Sequence, residues 1–539
     1  MMTPRILVIG LDAATMDLIE PWAKAGHLPT LARLMKEGAV ARLLSTPNMH
    51  SAASWTSILT GLNPGRHGLF VFSDRDYGTG KQLFFKGGDR EGETVGTMLA
   101  RLGVTSGFVN VPMTYPAEAS DHGFMISGLD APSLNPDAFR PAELREEIFE
   151  RFPDYSFTPA GLGDVMRAGK IDAAIAAWIT LIETQTKAAE YLLETRPVDF
   201  FMTVYTASDW GGHNLWRYLS VENASSGYSD SLLSIYSALD GSIGKLLAHA
   251  GEQTQVYVVS DHGMGTHTGA SYHLAALLEE RGYMVRNDTR QSLLGAGRRA
   301  AQKLLPPSVK ERIKKRIGDE RLKRIQASDK DAFHDSIDWA KTTAYAEPGR
   351  HVININLAGR NVAGVVQASD YDACCRRIID ELRTWVDPYG TNVVDRVVKR
   401  AEAYQGQFVD RASDLYVYWN PEAKIGPPPD EVKARGFWWS GDHRPDGILI
   451  CKGPGIRRNI DAGRAVVYDL VPTILHLAGL PVPPGLDGKV IEAIISDDFR
   501  LNNPVRFEAG SLESRTDDVQ LSELDEEKIE EKLRALGYL

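Results

Sequence analysis

Short, predominantly apolar runs recur along the chain, and each is bounded by residues that favour turns. They lie at 6–10, 106–111, 198–205, 255–260, 414–419 and 447–451. Between them, apolar residues recur at helical spacing over 28–38, 53–60, 171–194, 229–250, 271–281, 371–385 and 467–478. Runs of this length are typical of strands buried on both faces of a sheet. Their alternation with helices predicts a three-layer α/β/α sandwich with a mostly parallel central sheet.

A basic segment interrupts this alternation. Residues 298–324 contain eleven Lys and Arg residues against three acids. We expect a helical cap over 282–345, inserted into a catalytic domain of 1–281 and 346–490, and a tail of 491–539 that ends in an acidic helix. The basic segment fits a solvated cap, a lid that steers anionic substrates, or a peripheral contact with an anionic membrane surface.

Composition narrows the class of protein. The 539 residues carry a net charge of −11, which argues against a general nucleic-acid binder. The apolar run near the N-terminus is too short for a signal peptide, and no apolar stretch approaches the roughly 20 residues that span a bilayer. The three cysteines, Cys374, Cys375 and Cys451, have no metal-binding CxxC spacing and form a poor disulfide framework. A cytoplasmic protein is expected.

Acidic and imidazole side chains collect where the predicted strands end. Near four of the runs stand Asp12, the pair Asp209 and His213, the pair Asp261 and His262, and His443. Any one of them alone is more often a helix cap or a loop residue. Ligands bind at the carboxyl ends of parallel strands, and Asp and His are natural ligands of Zn²⁺ or Mn²⁺. Six such residues are enough to hold two ions.

Ser51 stands immediately before the predicted helix at 53–60. A serine in that place is usually an N-cap. A helix N-terminus also attracts anions, and a hydroxyl beside metal ligands can lose its proton and attack phosphorus. Ser51 is therefore the candidate nucleophile.

The order Asp12, Ser51, Asp209-x-x-x-His213, Asp261-His262, His443 resembles the alkaline phosphatase superfamily, and within it the type I phosphodiesterase/nucleotide pyrophosphatase branch. The flanking segments SWTSILTGLNPGRHG and DLVPTILHLAGLPVPPGLDG match as well, so the resemblance covers roughly residues 4–490. It implies a hydrolase of small-molecule phosphoesters that acts through a phosphoseryl intermediate on Ser51. Diesters or pyrophosphates would be preferred over monoesters.

The same resemblance implies two divalent ions, Zn²⁺ by preference or Mn²⁺. One ion would be held by Asp12, Ser51, Asp261 and His262, and the other by Asp209, His213 and His443. Nucleotide pyrophosphatases commonly carry Thr as the nucleophile, and an Asn three residues later binds a non-bridging oxygen of the substrate. That position is Ser54 in this chain, which leaves the nucleotide specificity open.

The site residues can be compared with the requirements of four alternative functions. A sulfatase needs a Pro and an Arg after the nucleophile, which the segment SAASW lacks. A phosphomonoesterase and a metal-dependent phosphomutase would use the same site residues. A non-catalytic, metal-stabilised binding protein would be expected to lack one or more of the seven site positions, and all seven are occupied.

Overall fold

Apolar side chains bury the predicted strands on both faces. This is the arrangement in a computed structural model that describes residues 3–118, 123–220, 227–287, 333–426, 439–508 and 521–535. All six residues of Ile6–Leu11 are buried, as are those of Ser106–Val111 and Phe200–Tyr205. The α/β/α sandwich is confirmed.

The strands, numbered along the chain, are β1 (Ile6–Leu11), β2 (Ala39–Leu44), β3 (Ser73–Arg75), β4 (Gln82–Phe84), β5 (Ser106–Val111), β6 (Gly123–Ser127), β7 (Phe139–Arg140), β8 (Phe200–Tyr205), β9 (Gln255–Val259), β10 (Gly263–Thr266), β11 (Ala344–Tyr345), β12 (Val352–Ile355), β13 (Val394–Lys399), β14 (Leu415–Trp419), β15 (Gly441–Arg444), β16 (Asp446–Lys452) and β17 (Ile460–Val466).

The helices are α1 (Met16–Lys24), α2 (Pro29–Glu37), α3 (Ser51–Thr60), α4 (Pro64–His67), α5 (Val95–Arg101), α6 (Leu144–Arg151), α7 (Leu162–Arg167), α8 (Ile171–Thr195), α9 (Ala207–Leu215), α10 (Ser231–Leu247), α11 (Ala270–Glu280), α12 (Tyr371–Arg383), α13 (Arg400–Ala403), α14 (Leu470–Leu477), α15 (Asp497–Asn502) and α16 (Glu523–Ala535).

The central sheet has nine strands in the order β17-β2-β16-β9-β1-β8-β5-β6-β7. β16 runs antiparallel to both of its neighbours and β7 antiparallel to β6, while the other neighbouring pairs are parallel. The start of β16 therefore lies at the edge where the parallel strands end. That edge is where the sequence places the candidate chemistry.

Helices cover both faces of this sheet. Alternate residues of β1 point to opposite sides, so that Leu7 and Ile9 join the core beneath α1, α2, α8 and α10, while Ile6 and Val8 join the core beneath α3, α5 and α14. The two-residue period of a strand explains this division.

A second sheet lies apart from the central one. Its strands are antiparallel, in the order β11-β12-β14-β13, and they share a core with α11 and α12. The apolar run at 414–419 forms a strand as predicted, but β14 joins this small sheet instead of the parallel one. The predicted domain boundaries stay a prediction.

Of two further predicted features, the structure describes one. The basic segment 298–324 is outside the described residues. The acidic C-terminal helix is formed as α16, and its Ile529 and Leu533 are buried in the core on the α8 side of the sheet. Within the described ranges, no helix has both the length and the apolar character needed to cross a membrane.

Candidate active site

The topology brings the strand-end residues to one edge of the central sheet. Asp12 directly follows β1, and Asp261 and His262 follow β9 after a single serine. Asp209 and His213 lie one turn apart on α9, the helix that follows β8. His443 lies on β15, which pairs with β10 and leads into the start of β16.

Ser51 is the first residue of α3, and it is fully buried. The helix begins two residues before the predicted start because His50 is the N-cap, and its Nδ1 accepts the backbone N–H of Ala52 at 3.2 Å. Ser51 is therefore free of the capping role that a serine usually has at this place. Its Oγ lies 3.3 Å from Asp12 Oδ1 and 3.1 Å from His262 Nε2.

The other six residues that the sequence singled out converge around Ser51. Asp12, Asp261 and His262 form one group in which the candidate ligand atoms lie within 4.8 Å of one another. Asp209, His262 and His443 form a second such group, so His262 belongs to both. His213 joins the second group, because its Nε2 lies 3.2 Å from Asp209 Oδ1 and 2.9 Å from His443 Nε2.

Backbone carbonyls orient the three imidazoles. Nδ1 of His213 donates to the Gly441 carbonyl at 2.9 Å, and Nδ1 of His262 donates to the Gly263 carbonyl at 3.1 Å. Nδ1 of His443 donates to the Met49 carbonyl at 2.6 Å. A carbonyl can only accept, so each Nδ1 carries a proton and each Nε2 presents its lone pair to the cluster.

The carboxylates are packed together away from water. Burial, and then the charges of Asp261 and Asp209, raise the pKa of Asp12 well above its ordinary value. Burial and the charge of Asp209 raise the pKa of Asp261 to about 7. Burial also favours a higher pKa for Asp209, but the neighbouring His213 and His443 hold it well below its ordinary value. A cation bound among these acids would favour their charged forms.

Three supporting contacts were not predicted. Trp55 donates from Nε1 to Asp12 Oδ2 at 2.9 Å, and Ser208 donates to the Asp12 carbonyl at 2.6 Å. Trp439 stacks on the His213 ring with centroids 3.7 Å apart. Trp55 could have been found, because it stands four residues after Ser51 on the same helix face. The role of Trp439 has no signal in the sequence.

Ser54, which stands where an Asn was expected, lies in a network of buried hydroxyls. Its side chain is fully buried, and its hydroxyl lies 2.9 Å from Ser45 Oγ and 2.7 Å from Thr46 Oγ1. These hydroxyls satisfy one another and join α3 to the end of β2. The position expected for an Asn therefore has a structural role in this chain.

Comparison with known proteins identifies the family of this chain. The model of the type I phosphodiesterase/nucleotide pyrophosphatase family matches residues 6–441. No curated protein matches the sequence. Among solved structures, phosphonoacetate hydrolase from Sinorhizobium meliloti 1021, in complex with phosphonoformate, is similar at 14% identity with a TM-score of 0.51, over 87% of this chain and 94% of its own. A variant of the alkaline phosphatase PafA is similar at 14% identity and a TM-score of 0.51, over 92% of this chain and 100% of its own.

Proposed function

We propose that this chain, which belongs to the type I phosphodiesterase/nucleotide pyrophosphatase family and is a phosphoester hydrolase, cleaves phosphodiesters with Ser51 as the nucleophile. The observation that carries the proposal is the place of Ser51 Oγ, within 3.3 Å of both Asp12 Oδ1 and His262 Nε2 in a buried cluster of Asp and His. The preference for diesters or pyrophosphates over monoesters rests on the family.

Two divalent cations fit the donors that the cluster offers. Nε2 of His213, Nε2 of His443 and Oδ1 of Asp209 bring lone pairs within 3.2 Å of one another, which a cation between them would satisfy. Among the described residues, the buried Oδ2 of Asp261 accepts no hydrogen bond, although His262 Nε2 lies 3.2 Å away. Carboxylate and imidazole ligands suit Zn²⁺ or Mn²⁺.

The resemblance implies how the residues would divide between the two ions. Asp12, Ser51, Asp261 and His262 would hold one, and Asp209, His213 and His443 the other. Such ions supply charge neutralisation at the phosphoryl oxygens and lower the pKa of the attacking hydroxyl.

The chain itself positions the nucleophile and its neighbours. Ser51 Oγ forms a bond to phosphorus while the bond from phosphorus to the leaving oxygen breaks, and the hydroxyl proton passes to Asp12 Oδ1, the nearest carboxylate oxygen. Trp55 keeps Asp12 in place through its other oxygen. The N-terminus of α3 favours the negative phosphoryl group. Water then cleaves the phosphoserine, which restores Ser51 and releases the second product.

The test uses metal-loaded protein and two aryl esters. Wild-type protein is expected to release p-nitrophenol from bis(p-nitrophenyl) phosphate faster than from p-nitrophenyl phosphate. Ser51→Ala is expected to lose at least about 10³-fold in kcat/KM. Acid quenching of the wild-type reaction followed by peptide mass spectrometry should find phosphate on Ser51.

Ser54→Ala is the matched control, because Ser54 is a buried serine in the same helix whose hydroxyl bonds only to Ser45 and Thr46 among the described residues. It is expected to keep its activity. Full activity of Ser51→Ala would rule out the assigned nucleophile. If the metal-loaded wild type hydrolyses neither ester, the proposal that it hydrolyses simple phosphoesters is wrong. If it hydrolyses p-nitrophenyl phosphate faster than the diester, it is a phosphomonoesterase.

A further inference from the structure

The loop that joins β11 to β12 extends from the small sheet to the candidate active site. Its His351 Nε2 lies 3.1 Å from Oδ1 of Asp442, the residue that precedes His443. The backbone N–H of Gly349 donates to the Ser271 carbonyl at 3.1 Å. The loop is therefore fixed at two points beside the site.

A second set of contacts ties the same loop to His213. Gly349 has a positive φ of 85°, and a Cβ there would lie 3.2 Å from the Tyr272 ring. The Tyr272 hydroxyl accepts the backbone N–H of Trp439 at 3.2 Å, and Trp439 stacks on His213. The close approach of the loop to Tyr272 explains why a glycine stands at this position.

Arg350 lies between these anchors as a half-buried cation, with 26% of its side chain exposed. Within the described residues its guanidinium donates no hydrogen bond, and the one carboxylate close to it is that of Glu347 at 3.7 Å. Glu347 also accepts from His334 at 2.8 Å. Arg444, by contrast, donates to the carbonyls of His443 and Thr266.

The charge of Arg350 reaches the residue beside the nucleophile. Burial first, and then the positive charge of Arg350, lower the pKa of His50 well below its ordinary value. His50 caps α3 directly before Ser51. The loop thus holds Arg350 beside the site, between His351, which contacts the neighbour of His443, and Gly349, which packs on Tyr272 next to Trp439 and His213.

We propose that Arg350 is a specificity residue that binds a second anionic group of the substrate, a carboxylate or phosphate attached beyond the scissile phosphoester. This inference rests on the proposed function. An arginine fork matches the two oxygens of such a group. Hydrogen bonds from a partly buried guanidinium to such a group contribute most to substrate binding when the guanidinium has no other hydrogen-bonded partner.

The experiment compares three esters that share the p-nitrophenolate leaving group. They are methyl p-nitrophenyl phosphate, carboxymethyl p-nitrophenyl phosphate, and p-nitrophenyl phosphate, whose additional charge is on the reacting phosphoryl group itself. Wild-type protein is expected to prefer the carboxymethyl ester over the methyl ester. In Arg350→Met that ratio of kcat/KM values is expected to fall about 10- to 100-fold, mainly through KM for the carboxymethyl ester.

Two further variants separate charge recognition from structural damage. Arg350→Lys keeps the charge without the fork and is expected to retain part of the preference. Arg383→Met removes the same charge from the surface of α12, where 67% of the arginine side chain is exposed, and is expected to leave the ratio unchanged. All variants should share the wild-type melting temperature to within a few degrees.

The outcomes distinguish this inference from the proposal on which it rests. An unchanged carboxymethyl-to-methyl ratio in Arg350→Met would overturn it while hydrolysis stands. A loss confined to p-nitrophenyl phosphate would also overturn it, because the arginine would then serve the reacting group. If the metal-loaded wild type hydrolyses none of the three esters, both the proposed function and this inference are wrong.

Discussion

His67 is a fully buried histidine at the end of α4, away from the cluster around Ser51. Its Nδ1 accepts the backbone N–H of Leu69 at 3.2 Å, so Nε2 carries the proton and donates to Ser57 Oγ at 3.0 Å. Burial, and then the charge of Arg90, lower its pKa to about 3. This histidine joins α4 to α3, and only its neutral form can accept the Leu69 N–H.

Replacing His67 by Gln is expected to weaken the acid sensitivity of folding. The unfolded chain binds a proton at this histidine below about pH 6.5, whereas the folded chain does so only near pH 3. The free energy of unfolding therefore falls as the pH decreases through this window, by about 2 kcal/mol between pH 7 and pH 5. Urea unfolding at both pH values should show this contribution in the wild type and its loss in His67→Gln.

The matched control is His27→Gln, because His27 is exposed. This variant is expected to keep the pH dependence of the wild type. Equal pH dependence in His67→Gln and the wild type would contradict the role assigned to the buried imidazole.

Single residues differ in how far the sequence predicts their roles. Asp12 and Asp261 could be predicted, because each stands next to a buried strand, and the ends of parallel strands meet at one edge of a sheet. The hydrogen bond from His443 to the Met49 carbonyl could not. It depends on a left-handed φ of 48° at Met49 and joins residues 394 positions apart. Such contacts follow from backbone geometry, which residue types do not encode.

Among the elements, the C-terminal helix α16 offers a direct test of packing. Leu533 is 1% exposed and lies in the core on the α8 side, and the neighbouring Lys532 donates to the carbonyls of Leu129 and Ala131. Leu533→Ala is expected to lower the free energy of unfolding by about 2–4 kcal/mol. Leu524, in the same helix, is 59% exposed, so Leu524→Ala should change it by less than about 0.5 kcal/mol. Chemical denaturation of the two variants measures the difference, and equal effects would show that the helix is not docked.

The apolar pattern predicted which segments form helices and strands better than it predicted which strands pair with one another. The helix predicted at 171–194 is found at Ile171–Thr195, and that predicted at 371–385 at Tyr371–Arg383. The strand within 414–419 has the same buried, apolar pattern as β8, yet it belongs to the small sheet. Burial on two faces reveals that a run is a strand, but not which neighbour it pairs with.

At the scale of the whole molecule, the metal ions are expected to contribute to stability as well as to catalysis. Purified protein should contain two divalent ions per chain by elemental analysis. Chelation should lower the melting temperature, since each ion at about 1,000 times its Kd adds about 4 kcal/mol to the free energy of unfolding. Addition of Zn²⁺ or Mn²⁺ should restore it.

Asp261→Asn is the matched variant for this measurement, because it alters one ligand group and keeps the size of the side chain. It is expected to bind close to one ion per chain. A wild-type protein whose melting temperature does not respond to chelation or to added ions would argue against the two-ion site, whatever its activity.

The active site cannot form before the antiparallel strand β16 joins the central sheet. It lies between β2 and β9 as the third of nine strands in the central sheet, and it begins shortly after His443. During synthesis, Asp12, Ser51, Asp209, Asp261 and His262 all leave the ribosome before β16 does. Until β16 is inserted, β2 and β9 keep open edges that could pair with another chain. A nascent chain therefore cannot complete the cluster around Ser51 early, and one late event both closes the sheet and brings His443 to the site.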